Sequence, residues 1–420
     1  MFNVLSLKNG LENVAGFSFG GVSMGLKKDG SNDLGFIKAH KPASLFARFT
    51  SNRFKAAPLR HFYRTFGFDE NAKNGKNLTS AELKGKELKT NFILLNSKNA
   101  NAMTGEAGIS DINEIFASLK SLPNFANFEL VNPLMSSTGV IGYRLPKEKI
   151  LKAAANFDLN ARNSDDVAHS IMTTDRFKKE IALKVELENG KSFNIACICK
   201  GAGMINPSLA TMLCFILTDA DVPANDDAHE LLDSAINASF NAISVDGDTS
   251  TNDTVMLLSS GASGAYDKEA FAFALNKITL EMALNLVRDG EGSTKVVAFE
   301  VRGAKSANEA EHAAKALSNS LLVKTALFGC DPNWGRIAST IGASGAMCDE
   351  NSLVIYCDEV LLYDKDHKEL DDARESAAHA VMKKDSYRII CDLGVGDGAY
   401  SAYGCDLGHE YVSINADYRS

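Results

Sequence analysis

Short apolar runs alternate with amphipathic segments along the whole chain, and this alternation predicts a mixed α/β fold. The clearest pattern is IALKVELENGKSFNIACICK, residues 181–200, in which apolar residues occupy every odd position from 181 to 187. This is the period of a strand with one buried face. The pair Asn189-Gly190 is a strong hairpin signal. The segment therefore predicts two antiparallel strands, the second of which ends at Lys200.

The same reasoning predicts further elements on both sides of this hairpin. TMLCFIL (211–217) is apolar throughout and predicts a buried strand, and TKVVAFEV (294–301) predicts another. One helix is predicted after an N-cap at Asn225, and a second from an N-cap at Asp267 to Gly290. ANEAEHAAKALSNSLLVKTAL (307–327) predicts a single helix, and EYVSINADYRS (410–420) predicts a final strand.

Composition narrows the class of protein but not its chemistry. A chain of 420 residues is longer than one core usually serves, so we expect two domains. The net charge of -9 argues against a nucleic-acid partner. The eight cysteines have no metal-binding or disulfide spacing, which is typical of reduced thiols. With neither a signal peptide nor a membrane span in the pattern, we expect a cytoplasmic protein.

Several motifs suggest chemistry that their surroundings do not support. Gly21-Val22-Ser23-Met24-Gly25 matches a nucleophile elbow, but it comes too early in the chain and no helix follows. The segment 246–253, DGDTSTND, lacks the glycine and glutamate of a calcium loop, and a polar turn is the better interpretation. GVGDGA (394–399) is not followed by the helix of a dinucleotide site. The histidines have no zinc-ligand spacing, so we expect no metal.

Thr211 offers a further possibility, because it stands where a loop meets the apolar run. A threonine hydroxyl is a poor nucleophile unless a base lies beside it. A threonine that begins a chain has its own α-amino group, with a pKa of about 7.7–8, as that base. Thr211 would reach this state only if the bond to Ala210 were cleaved. From these residues alone, a structural threonine at the start of a strand is the simpler interpretation.

Nine segments together make the chain resemble the ornithine acetyltransferase (glutamate N-acetyltransferase) family of arginine biosynthesis. They occur in the order of the family and span nearly the whole chain. These segments are FTSNRFKAAPL, LNSKNANAMTGEAGISD, SSTGVIG, IMTTD, KGAGMINPSLATMLCFILTDA, SVDGDTSTNDTVMLL, RDGEGSTK, GCDPNWGRIASTIG and CDLGHEYVSINADYRS. The resemblance implies a layered α/β sandwich of the N-terminal-nucleophile type over residues 1–290, with a smaller α/β domain over 291–420.

The resemblance also implies a mechanism and a set of site residues. The precursor would cleave itself between Ala210 and Thr211 into chains 1–210 and 211–420, which would assemble as an α2β2 heterotetramer. Thr211 would carry acetyl from N2-acetylornithine to glutamate in a ping-pong reaction, without a cofactor. The residues implied are the following: Thr138 and Gly139 as the oxyanion hole, with Thr173, Lys200, Thr211, Glu291, Asn415 and Ser420 as substrate contacts.

Two alternatives to the acetyltransferase are weighed at this point. An aminopeptidase or amidase of the same superfamily would use water as the acceptor, but a threonine nucleophile favours the transferase. A binding protein without activity would not need Ala210-Thr211, Lys200 and Thr138-Gly139. A separate question is whether acetyl-CoA also serves as an acetyl donor, and no residue decides it.

Overall fold

The computed structural model describes residues 1–69, 83, 85–206 and 212–417. Its described strands form two mixed sheets with helices packed on them, so the predicted α/β architecture is confirmed. The first sheet has the order β1-β6-β7-β8-β10-β3-β4-β5, and β2 pairs with β3. Its strands are β1 (Phe2–Ser6), β2 (Phe17–Val22), β3 (Leu34–Phe49), β4 (Lys89–Asn96), β5 (Leu134–Ser137), β6 (Lys179–Leu187), β7 (Ser192–Lys200), β8 (Leu213–Thr218) and β10 (Thr254–Ser259).

The second sheet lies mostly in the last third of the chain and has the order β13-β12-β14-β11-β15-β9. Its strands are β9 (Ile243–Ser244), β11 (Val296–Ala304), β12 (Val354–Cys357), β13 (Val360–Tyr363), β14 (Ser386–Asp392) and β15 (Gly398–Cys405). The α-helices are α1 (Ala57–Thr65), α2 (Gly105–Leu119), α3 (Lys147–Ala154), α4 (Ser164–Ile171), α5 (Asp226–Asn237), α6 (Lys268–Arg288), α7 (Ala307–Asn319), α8 (Leu321–Phe328), α9 (Trp334–Ala343), α10 (Asp372–Met382) and α11 (His409–Asp417). The division at residue 290 stays a prediction.

The predicted hairpin and the strand after it form the centre of the first sheet. β6 and β7 pair antiparallel around Gly190, whose φ of 79° suits the turn, and β7 then pairs antiparallel with β8. Both faces of β7 are buried, because Ile195 packs with α6 on one side and Ile198 packs in a separate core on the other. A strand buried on both faces is apolar throughout, as the sequence of β8 is.

By length and composition alone, helix α6 could cross a membrane. The expectation that the chain has no membrane span did not take this helix into account. In this structure it is a core helix. Phe271, Leu275, Ile278 and Met282 are fully buried, and they pack with residues of β6, β7 and β8. More than half of its most apolar window, 56%, is buried inside the protein. The burial gives its apolar composition an ordinary structural explanation.

Two predicted elements were wrong in form. The segment 307–327 contains two helices, because Ser320 ends α7 and also caps α8 by accepting a hydrogen bond from the amide of Val323. The C-terminal segment was predicted as a strand, yet His409–Asp417 is the helix α11. The apolar pattern of this segment is too short to distinguish the period of a strand from that of a helix. Its half-buried residues, Tyr411 and Ile414, lie three positions apart, which is the spacing of one helix face.

All eight cysteines are free thiols, which agrees with the predicted absence of a disulfide framework. Cys197 and Cys214 approach most closely, on the neighbouring strands β7 and β8, with 3.4 Å between their sulfur atoms. Burial raises the pKa of both thiols, so they remain neutral core residues.

Candidate active site

A cleft with about 660 Å³ of empty space, partly open to solvent, lies where loops from both halves of the chain meet. It collects every predicted site residue that the structure describes. Its lining consists of Ala100, Thr138, Gly139, Ile141, Thr173, Thr174, Lys200, Ala202, Gly203, Met204, Ser250, Thr251, Asn252, Glu291 and Asn415. Ala210, Thr211 and Ser420 lie outside the described residues.

The loop after β5 brings Thr138 and Gly139 to one wall. The amide of Thr138 donates to the carbonyl of Asn96 at 3.0 Å, so its side-chain hydroxyl is the donor left for a ligand. Gly139 has a φ of 130°, and a Cβ there would lie 2.3 Å from the carbonyl carbon of Lys98. Only glycine fits this approach. Asn252 fixes the loop by donating to the carbonyl of Ser137 at 2.8 Å.

Lys200 stands at the end of β7, where it pairs with Leu213 of β8. The side chain is buried, and its Nζ lies 3.5 Å from the hydroxyl of Thr173. Burial lowers the pKa of Lys200 below 10.5, although the carboxylates of Asp175 and Asp253 act in the opposite direction. A buried ammonium in a cleft is suited to bind a carboxylate.

Glu291 and Asn415 form another part of the lining, and they come from the loop after α6 and from α11. The Nδ2 atom of Asn415 donates to Oε2 of Glu291 at 2.8 Å, while the amide of Glu291 donates to the carbonyl of Ala202 at 2.8 Å. Gly203 leaves room for the carboxylate, since a Cβ there would lie 2.5 Å from Glu291 Oε2. This part of the lining presents a carboxylate that can meet an amino group.

Several residues of the polar segment 246–253 take part in the site, although the sequence identified them only as a polar turn. Ser250, Thr251 and Asn252 line the cleft. Asp246 accepts hydrogen bonds from the amides of Met204 at 2.6 Å and Ile205 at 2.9 Å, which shapes the glycine loop after β7. The signal available in the sequence was the density of hydrogen-bonding side chains directly before the apolar run of β10.

Asp253 was also missed, and its surroundings are unusual. It is fully buried, and its Oδ1 accepts from the amide of Met212 at 3.1 Å. Burial raises its pKa well above the ordinary value, and the charge of Lys200 opposes that rise. Asp253 therefore fixes Met212, the first described residue after Thr211, near Lys200.

The structure places two further segments and residue types that the sequence analysis considered. The described parts of the chain contain no group of histidine, cysteine or acidic residues arranged to hold a metal ion. GVGDGA leads into strand β15, where a dinucleotide site requires a helix.

Comparison with known proteins places the whole chain in one family. The model of the ArgJ family matches residues 18–420. A protein of Wolinella succinogenes named arginine biosynthesis bifunctional protein ArgJ is 53% identical over 100% of both chains. The chain belongs to the ArgJ family. A relative named glutamate N-acetyltransferase, from Methanocaldococcus jannaschii, is 40% identical over 93% of this chain and 95% of its own.

Two solved chains with ArgJ-family names are similar to parts of this chain. The arginine biosynthesis bifunctional protein of Bacillus halodurans is 36% identical with a TM-score of 0.46, over 49% of this chain and 98% of its own. Ornithine acetyltransferase of Mycobacterium tuberculosis, solved with ornithine, is 30% identical with a TM-score of 0.39, over 50% of this chain and 100% of its own.

The ArgJ family assignment confirms the resemblance seen in the sequence. It also confirms an acyltransferase of arginine biosynthesis as the function class. The roles of individual cleft residues, the cleavage between Ala210 and Thr211 and the heterotetramer stay predictions.

Proposed function

We propose that the chain transfers acetyl from N2-acetylornithine to glutamate in the described cleft, through an ester on Thr211. The observation that carries this proposal is the convergence of Thr138, Gly139, Lys200 and Glu291 on one cleft from separate elements. Hydroxyl and amide donors can stabilise the oxyanion formed from an acetyl group. The buried ammonium can bind a carboxylate of the substrate, and the carboxylate can bind a charged amino group.

Connectivity supports Thr211 as the nucleophile. Leu213, two residues further on, pairs directly with Lys200 across β7 and β8, and the amide of Met212 is bonded to Asp253. The first two described residues after the proposed cleavage site are therefore held at the same end of the sheet as Lys200. Cleavage after Ala210 would give Thr211 a free α-amino group, which is the base its hydroxyl needs.

In the first half-reaction the Thr211 hydroxyl attacks the acetyl carbonyl carbon, and its proton passes to the α-amino group of the same residue. The tetrahedral oxyanion is met by the hydroxyl of Thr138 and the amide of Gly139. The carbon–nitrogen bond then breaks, the nitrogen takes the proton, and ornithine leaves. In the second half-reaction the amino group of glutamate attacks the ester, N-acetylglutamate leaves, and the hydroxyl is restored.

The charges of the cleft support recognition of N2-acetylornithine. Lys200 would bind the α-carboxylate, and Glu291 would bind the side-chain amino group of ornithine. Thr173 and Asn415 add a hydroxyl and an amide within the same cleft, and Ser420 completes the set of contacts that we propose. No cofactor takes part in this scheme.

We extend the proposal to a second acetyl donor and to the assembly. The Wolinella succinogenes relative, at 53% identity, is named a bifunctional protein. We infer that acetyl-CoA can also acetylate Thr211, so that the enzyme makes N-acetylglutamate from either donor. Cleavage would leave chains of residues 1–210 and 211–420, two of each forming an α2β2 assembly in the cytoplasm.

Product analysis tests the transfer directly. Purified protein is incubated with N2-acetylornithine and glutamate, and the expected products are ornithine and N-acetylglutamate in equal amounts. Acetate in place of N-acetylglutamate would indicate an amidase and overturn the proposal. Glutamate with acetyl-CoA alone is the matched assay for the second donor, and no product there would remove that part only.

The variants Thr211→Ala and Thr211→Ser test whether the hydroxyl of Thr211 is the nucleophile. We expect the alanine variant to remain one uncut chain without transferase activity, because neither the hydroxyl nor a new amino terminus is present. The serine variant keeps a hydroxyl and should retain some cleavage and transfer. An active, uncut alanine variant would exclude Thr211 as the nucleophile.

A further inference from the structure

Beneath the cleft, a lysine and two aspartates form a buried ion cluster that the proposed reaction does not use. The Nζ atom of Lys179 lies 2.7 Å from Oδ1 of Asp175 and 2.5 Å from Oδ2 of Asp289. All three side chains have no exposed surface. Such a cluster is costly to bury unless its hydrogen bonds are satisfied, so its other contacts are informative.

Asp175 connects the lysine to two segments of the cleft. Its Oδ2 accepts from the amide of Thr173 at 2.9 Å, and its Oδ1 accepts from the amide of Gly201 at 2.7 Å. Thr173 lines the cleft, and Gly201 directly follows Lys200. The carboxylate therefore holds the backbones that present these two side chains.

Asp289 connects the lysine to a third segment. It ends helix α6 and stands two residues before Glu291. Its Oδ1 also accepts from Nε of Arg176 at 3.1 Å and from the amide of the same residue at 3.2 Å. These bonds fix the end of α6 to the loop that contains Thr173. Because Glu291 is only two residues further on, they also restrict the position of Glu291.

Opposite charges hold Asp175 and Lys179 in their ionised forms. Burial alone would raise the pKa of Asp175, but Lys179 and Lys200 hold it below its ordinary value. Burial alone would lower the pKa of Lys179, but Asp175 and Asp289 hold that pKa above its ordinary value. Loss of the lysine would leave two buried carboxylates facing each other.

We propose that Lys179 is a positioning residue. Through its ion pairs with Asp175 and Asp289, it fixes the positions of Thr173, Lys200 and Glu291 relative to one another. The inference rests on the proposed function, in which these three residues contact substrate. Lys179 and Asp175 precede the proposed cleavage site and Asp289 follows it, so the same contacts would bind the two processed chains together.

Kinetics of Lys179→Met and Asp289→Asn in the full-length protein test this role. Each has a control in an ion pair away from the cleft lining, that of the buried Arg48 with the half-buried Asp233, substituted as Arg48→Met and Asp233→Asn. Activity is divided by the amount of folded, cleaved enzyme. We expect kcat/KM for N2-acetylornithine to fall about 10- to 100-fold in the cluster variants, with a raised KM, because small misplacements of binding groups are expensive. The control variants should lose melting temperature but keep KM.

The result that overturns the inference is a cluster variant whose melting temperature falls while its KM equals that of the wild type. If Lys179→Met gives no folded protein, Asp289→Asn decides, since the amide keeps the shape of the side chain. The wild type is assayed in parallel. A wild type without transferase activity would contradict the proposed function, whereas an active wild type with unchanged KM in the variants contradicts only the role of Lys179.

Discussion

At the scale of single residues, the cleft is defined by atoms that have little freedom to move. Gly139 approaches the backbone of Lys98 so closely that a side chain is excluded, and Lys200 is buried at a strand end. Catalysis through fixed donors depends on such rigidity, because the donors need not reorganise when charge develops. Two predictions follow from these residues.

Gly139→Ala should lower kcat by about 10²–10³-fold, the usual cost of losing one oxyanion donor. The added Cβ would lie 2.3 Å from the carbonyl carbon of Lys98, so the loop must shift. Gly142→Ala is the control, because Gly142 also has a positive φ, 93°, but nothing lies within 4 Å of its Cβ position. Steady-state rates and melting curves of both variants provide the comparison. Equal losses of kcat would contradict a role for the Gly139 amide.

The KM for N2-acetylornithine should rise with pH below 10.5, the ordinary pKa of lysine. Burial lowers the pKa of Lys200, so its ammonium is lost at a lower pH than that of an exposed lysine, and the carboxylate of the substrate loses its partner. Lys200→Arg should abolish this rise, since a guanidinium stays charged. A KM of the wild type that stays constant up to 10.5 would argue against carboxylate binding by Lys200.

At the scale of elements, helix α11 completes the site from the end of the chain. It places Tyr411 and Asn415 one turn apart, and Asn415 donates to Glu291. The hydroxyl of Tyr411 donates to Asp246 at 3.3 Å, which ties the helix to the loop below the cleft. The helix therefore orients the carboxylate proposed to bind ornithine.

Asn415→Asp should raise the KM for N2-acetylornithine more than Asn415→Ala does. The aspartate would replace a donor to Glu291 with a like charge, which pushes the two carboxylates apart, whereas alanine only removes the hydrogen bond. Ser413→Asp places the same charge on an exposed position of α11 and should leave KM near that of the wild type. Identical KM values for the two Asn415 variants would contradict this role of the contact.

Elements with a clear alternation or clear end signals could be predicted from sequence, and elements without them could not. The hairpin around Gly190 was predicted correctly because its alternation extends over many residues, and helix α6 was predicted correctly because Asp267 caps its start. Ser320 was missed as a boundary, since a serine within an apolar helical pattern is common and only its capping bond identifies it. The cluster of Lys179 with Asp289 could not be predicted, because 110 positions separate the partners and only the fold brings them together.

At the scale of the whole molecule, the proposed cleavage would divide a continuous structure. β7 lies before Ala210 and β8 after Thr211, and the two strands pair from Ile195 with Thr218 to Lys200 with Leu213. One hydrophobic core includes Ile195, Cys197, Cys214 and Ile216 from both sides of the cut. The products would therefore share a sheet, a core and the ion cluster of Lys179.

The processed enzyme should thus show two polypeptides under denaturing conditions but a single assembly under native conditions. Burial of so much apolar surface between the chains makes spontaneous separation unfavourable. Denaturing electrophoresis and native mass spectrometry of one preparation make the comparison, and we expect the native mass of an α2β2 assembly. Chains 1–210 and 211–420 that separate without denaturant would contradict the shared core.

Trapping of the acetyl-enzyme tests the central claim most directly. Purified protein is mixed with N2-acetylornithine without glutamate, quenched in acid, and its chains are measured by intact-mass and fragment mass spectrometry. We expect the chain that begins with Thr211 to gain one acetyl group on that residue, and to lose it when glutamate is added. Transfer to glutamate without any acetylated chain, or with the acetyl group on another residue, would contradict the account.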